Sequence, residues 1–255
     1  MSRPAFLPAP EALLAAPPAS TGARLSLGVA AIDARLGGGL VVAALHEIYA
    51  GHAGDGAAAA AFALLLTLRC GRTGPLVWLR EDKARHDGRL YGLGLAELGG
   101  DPARLLLVQA PDTLALLRAG AESVACTAVA AVILEPWGKA GAVDLTATRR
   151  LALAAARSGV LTLLLRSGDP GPSAAHSRWH VSAAPSAALA ANAPGAPAFE
   201  ISLLRHRGGV AAFDTLLEWS RESRSFAAPL SGGAPAAAVQ RADAARGPAA
   251  GRRAA

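Results

Sequence analysis

Apolar positions in this chain alternate between two textures. Short runs read as buried strands: LHEIYA at 45–50, LVWL at 76–79, LLLVQ at 105–109, AVIL at 131–134 and VLTLLL at 160–165. Between them lie longer segments in which a helix fits: Ala57–Cys70, about Lys83–Leu98, Thr113–Ala125 and about Asp144–Arg157. A shorter helix, Ala30–Leu36, precedes the first long strand and stops at the glycines 37–39, which leave helical geometry at little steric cost. Asp112 stands where a carboxylate can cap the helix that follows it. Short strands alternating with helices predict an α/β fold with a mostly parallel sheet covered on both faces.

After Arg166 the texture changes. SRWHVS at 177–182 and FEISLLR at 199–205 read as a strand pair separated by a loop at 187–197. A turn at Arg207-Gly208-Gly209 returns the chain into a further strand, Phe213–Trp219. This predicts an antiparallel extension on the parallel sheet. The expected organisation is therefore an arm at 1–22, a core at 23–166, the extension at 167–224 and a tail at 225–255. Prolines break up the arm, which holds one short helix at Pro10–Ala16. The tail is Ala, Pro, Gly and Arg without periodicity and is expected to be disordered.

Composition adjusts this picture modestly. Of the 255 residues, 52% are hydrophobic but only 4% aromatic, so the core is expected to rely on small side chains. The first twenty residues contain too many prolines for the apolar stretch of a signal peptide. No apolar run reaches the length of a membrane span. Cys70 and Cys126 lie apart in apolar helical segments and suggest neither a disulfide framework nor a metal site, which fits a reducing cytoplasm. His176 and His180 are four residues apart on a strand with no third ligand nearby, so no metal is expected. The formal net charge of +6 permits nucleic-acid contact without requiring it.

The chemistry suggested by the pattern lies at 45–70. A strand, a glycine-rich turn and a helix are the layout of a phosphate-binding loop, G-x-x-x-x-G-K-[ST]. Gly51 and Gly56 have the required spacing, with Gly54 between them. The Lys and Ser/Thr positions hold Ala57 and Ala58, and Asp55 places a carboxylate where it would repel phosphate. Each lost charge-assisted contact costs about 1.5–3 kcal/mol of binding. Nucleotide hydrolysis is therefore not expected, no cofactor is assigned, and the loop reads as vestigial. In parallel sheets ligands sit at the carboxyl ends of the strands. Those ends carry the glycine turn, Glu81 or Asp82, Glu135 and Arg166. Away from that edge, Arg205, His206 and Arg207 form a basic turn suited to DNA phosphate or an acidic partner. Arg241, Arg246, Arg252 and Arg253 in the tail add diffuse positive charge.

Two longer stretches carry a family resemblance. LSLGVAAIDARLGGGL followed by LHEIYAG resembles the entry to the core of RecA-type recombinases, as does RLYGLGLAELGGDPARLLLVQAPDT further on. SRWHV, EISLLRHRGG and LLEW resemble the C-terminal half of the ImuA family, RecA-like accessory factors of damage-induced mutagenesis. The resemblance implies a RecA-like core at about 22–166. It places the water-activating carboxylate at Glu81 or Asp82, the magnesium-linked acid at Glu135 and a nucleotide-sensing glutamine where this chain has Arg166. With the loop degenerate, these acids are expected to be relics. The resemblance also implies partners: ImuB, an inactive relative of Y-family polymerases, an error-prone C-family polymerase and RecA; the basic turn adds DNA as a further candidate, and no membrane is expected. The extension and tail are the expected places of partner contact. A RecA-type ATPase on single-stranded DNA and a SulA-type cell-division inhibitor are the alternative expectations.

Overall fold

The computed structural model describes residues 22–52, 54–186 and 195–229. The expected arm, except its last residue, and most of the expected tail and 187–197 loop lie outside these residues. Eleven strands and five α-helices are described. A two-stranded ribbon, β1 (Arg24–Leu25) with β2 (Leu40–Val41), brackets α1 (Ala30–Arg35). Then follow β3 (Leu45–Ala50), α2 (Gly56–Arg69), β4 (Leu76–Glu81), α3 (Gly92–Glu97), β5 (Leu105–Ala110) and α4 (Thr113–Ala125). β6 (Ala131–Glu135), α5 (Leu145–Ser158), β7 (Leu161–Arg166), β8 (Ser177–Ala183), β9 (Ala198–His206), β10 (Phe213–Ser220) and β11 (Ser225–Ala227) complete the order.

Nine strands form one sheet in the order β11-β10-β9-β8-β3-β7-β6-β4-β5. β3 is the middle strand, and its neighbours β7 and β8 both run parallel to it. The predicted pairing of the 177 and 199 segments is present as antiparallel β8–β9. The sheet turns antiparallel only at β9, so β8 belongs to the parallel core. The central strands are buried on both faces, which explains their unbroken apolar runs. One face packs Phe62, Leu65, Trp78, Trp179, Phe199 and Trp219 around α2. The other packs Leu79, Leu116, Leu134, Leu151 and Leu164 under α4 and α5. Burying each such side chain contributes about 1.5–3 kcal/mol.

Helix ends follow the capping carboxylates. Asp112 accepts from the Ala115 amide at 2.8 Å, as expected, and Asp144 caps α5 through the Ala147 amide at 2.7 Å. The segment expected as a helix over 83–98 differs. It forms a 3₁₀ turn at Asp82–Asp87 and then the short α3. Gly88 breaks it at φ 109°, a conformation that side chains resist. Arg80 fixes the turn by donating to the Ala84 and Gly88 carbonyls, each at 3.0 Å.

The expected tail also begins late, because Ser225–Ala227 forms β11 against β10. That strand closes the fold on itself. The Phe226 amide donates to the Leu27 carbonyl at 3.0 Å, and Arg69 bridges the Ser26 and Arg224 carbonyls at 2.6 and 2.7 Å. Phe226 packs against Phe62 and Trp219 with ring centroids 5.2 and 5.1 Å away. No helix among the described residues is long and apolar enough to cross a membrane.

Candidate functional site

β3 ends at Ala50 and α2 begins at Gly56, so the glycine turn lies at the carboxyl edge of the central strand. Beside it opens a cleft of about 1200 Å³ lined by residues including Gly54, Ala57, Trp78, Tyr91, Leu107 and Trp137. The expected ligand edge and this cleft coincide. Gly51 is held against β8, its amide donating to the Val181 carbonyl at 2.9 Å. A Cβ there would meet the Ser182 hydroxyl, which would have to rotate away, so Gly51 packs closely on β8 independently of any phosphate. Around Gly54 and Gly56 an added Cβ would meet open space. Ala57 is exposed and Ala58 half-buried, so the two alanines in place of Lys and Ser/Thr face outward more than a purely packing role predicts.

Asp55 fastens the turn. Its Oδ2 accepts from the His52 amide at 3.0 Å and its Oδ1 from the Ala183 amide, at the end of β8, at 3.1 Å. A backbone N–H of the phosphate-loop position thus has an internal carboxylate as its partner.

The strand-end acids are similarly engaged. Glu81, the last residue of β4, is buried and accepts from Thr113 Oγ1 at 2.8 Å and the Trp137 amide at 3.2 Å. It ties β4 to the start of α4 and to the segment after β6. Asp82 opens the 3₁₀ turn, half-buried. The register between these two acids, open in the sequence, places Glu81 in the strand and Asp82 beyond it. Glu135 at the end of β6 receives Arg80 in a fork, Nε at 2.6 Å and Nη2 at 2.9 Å, and Trp78 Nε1 at 2.8 Å. Since Arg80 also holds two turn carbonyls, this pair organises the 3₁₀ turn beside the cleft.

Arg166 leads to a cluster not foreseen from the sequence. Its Nη1 donates at 3.1 Å to Oε1 of Glu47, a fully buried carboxylate on β3. Arg178 on β8 brings Nε within 2.9 Å of Oε2, an ion pair whose N–H is not aligned for a hydrogen bond. Tyr49 donates its hydroxyl to the same oxygen at 3.1 Å. Burial, with the Glu47 charge beside it, pushes the Tyr49 hydroxyl up to about 12. In the sequence the cluster shows only as a glutamate inside one apolar strand and Arg166 at the end of another, with nothing to connect the two.

The basic-turn candidates lie elsewhere. Arg205 and Arg207 are exposed at the opposite end of the sheet, where β9 finishes. His176 and His180 do not act together. His180 packs beside Tyr49, whereas His176 joins His206 and His46 at that opposite end, with centroids 4.7 and 5.9 Å away. Burial lowers His46 to about 3 and His176 to about 4. Among the described residues no group of three or more His, Cys, Asp or Glu is arranged to hold a metal ion.

The sheet order, the glycine turn at the central strand and the helices on both faces define a RecA-like fold. The crystal structure of the RadB recombinase superposes with a TM-score of 0.55 at 16% identity, covering 79% of this chain and 98% of that one, a likeness of fold. No family profile matches the chain. Protein ImuA of Caulobacter vibrioides, in both the NA1000 and the CB 15 strains, is 35% identical over 202 residues, 72% of this chain and 79% of the relative. The chain belongs to the ImuA family.

Proposed function

We propose that this protein is a non-hydrolysing adaptor of a damage-induced mutagenic translesion-synthesis assembly. In this reading it binds ImuB in the cytoplasm and through ImuB reaches the error-prone C-family polymerase, as part of the SOS response. The observation that carries it is the internal use of the vestigial nucleotide edge. Asp55, Glu81 and Glu135 each accept hydrogen bonds from the protein's own backbone or side chains. The residues present do not fit a magnesium nucleotide, which needs a lysine, a hydroxyl and a carboxylate free for the metal. A set of strand ends that binds itself supports a rigid scaffold in place of a catalyst.

The surface supports the same reading. Of seven large apolar side chains exposed in the described residues, five (Tyr91, Leu93, Leu106, Leu107 and Leu114) belong to β5 or to the α3 and α4 segments flanking it in the chain. Such a concentration suits protein contact. Only Leu216 lies on the extension where contact was expected. The test is capture of ImuB by the full-length protein without nucleotide. Capture that strictly requires ATP and magnesium would overturn the adaptor reading.

A further inference from the structure

The end of the sheet opposite the cleft is basic in an unusual way. Arg24 on β1, Arg35 at the end of α1, and Arg205 and Arg207 around the end of β9 all meet there, and all four are exposed. Their proximity is shown from several directions. Arg205 is the register partner of Arg178, and the Arg207 amide donates to the His176 carbonyl at 2.7 Å. Arg35 lies over the Phe213 ring at 4.1 Å, at the start of β10. Arg24 and Arg207 both disfavour a proton on His176, and Arg24 does so on His206.

Elsewhere the protein matches its sheltered arginines with acids: Arg80 with Glu135, and Arg166 and Arg178 with Glu47. At this end none of the four arginines lies within ion-pair distance of a carboxylate among the described residues. The nearby Asp33 is engaged by Ser26 Oγ and by the Leu27 and Gly28 amides. Asp214 is the exposed acid at the start of β10. Arg24 spends one guanidinium nitrogen on the Leu36 and Gly39 carbonyls, so it also anchors the ribbon. Arg205 and Arg207 carry no such structural bond in the described residues. Arg205 stands on the last residues of β9 and Arg207 just past its end, at the start of the turn, so two exposed guanidinium groups flank the strand terminus. The Arg207-Gly208-Gly209 turn carries no bulky side chain between them and the solvent.

We infer that this end of the sheet is a nucleic-acid-binding surface that engages the phosphate backbone without base readout, with Arg205 and Arg207 as its principal contacts. It lies at the far ends of the strands from the vestigial loop, so binding requires no nucleotide. The inference does not rest on the adaptor reading, because its test contains no partner protein.

The test is fluorescence anisotropy of the full-length protein with a fluorescein-labelled thirty-nucleotide oligo-dT, across a sodium chloride series. The variant Arg205→Gln with Arg207→Gln should bind more weakly at every salt concentration. Its slope of log affinity against log salt should be shallower by about 1.4, two single-strand phosphate contacts at about 0.7 each. Both side chains are exposed, so the thermal midpoint should stay unchanged. Replacing Arg241, Arg246, Arg252 and Arg253 by Gln serves as the comparison and should leave most of the affinity in place. Equal affinity and slope for wild type and R205Q/R207Q would overturn the inference. So would displacement of the oligonucleotide by polyglutamate at matched charge, which would mark the surface as one for acidic protein.

Discussion

Glu47 is the residue on which most buried charge converges. Two guanidinium groups and a phenol meet one carboxylate that has no contact with water. Removing the charge strands both arginines in a low-dielectric site, and breaking such a pair costs about 3–5 kcal/mol. Glu47→Gln is therefore expected to lower the urea midpoint by the corresponding amount, with an unchanged m-value. Tyr49 gives the cluster a signature in alkali. Its raised pKa means that its contribution is complete below pH 10 and is lost as pH rises toward about 12. Tyr49→Phe should flatten that part of the stability profile. The histidines act in the opposite sense. Depressed values of about 3 for His46 and 4 for His176 mean that their contribution is complete above pH 6.5 and is lost as acid is added. Urea unfolding between pH 7 and 3 should show this loss, and His46→Gln should reduce it. None of this was legible residue by residue. Glu47 is visible in LHEIYA, but its partner Arg166 stands 119 positions away, and only the parallel register brings them together.

Among the elements, the central strands β3, β4, β6 and β7 were the most legible part because they are buried on both faces and therefore largely apolar. The strand-end acids Glu81 and Glu135 were legible for the same reason, as breaks in apolar runs. What each acid binds was not, because Thr113, Trp137 and Arg80 reach them from other elements. The helix expected over 83–98 failed where the reach of one side chain outweighed local propensity. Arg80 gathers two carbonyls and Glu135, and Gly88, Gly92 and Gly94 weaken helical continuity. Glu135→Gln should release that turn, seen as faster amide exchange across 82–91. Restoring the loop motif with Ala57→Lys and Ala58→Thr should leave phosphate release from ATP at background, since Glu135 remains held by Arg80 and the His52 amide by Asp55. Turnover in this double variant would show that the edge is less committed than its hydrogen bonds indicate.

Over the whole molecule, the two margins of the sheet differ in kind. The β11 margin is three residues long and adjoins the charged turn Arg221–Arg224, a protected edge. The β5 margin offers a six-residue strand without charge or proline, with Leu106 51% and Leu107 44% exposed. Leu106→Glu combined with Leu107→Lys should reduce ImuB capture at least tenfold while leaving the far-ultraviolet spectrum intact. Retained capture would move the contact to another surface. This asymmetry was not legible from the chain, where LLLVQ looks like every other buried strand. Only its position in the strand order exposes it.

The bond between Phe226 and Leu27 also ties the last strand to the segment that follows β1. That junction marks one flank of the sheet, and β5 forms the other. Nine strands at about 4.8 Å separate the two flanks by roughly 38 Å. A body docked on β5 therefore lies across the full width of the sheet from the end of β11. The sheet thus sets a fixed distance between anything that docks on its β11 flank and anything that docks on β5.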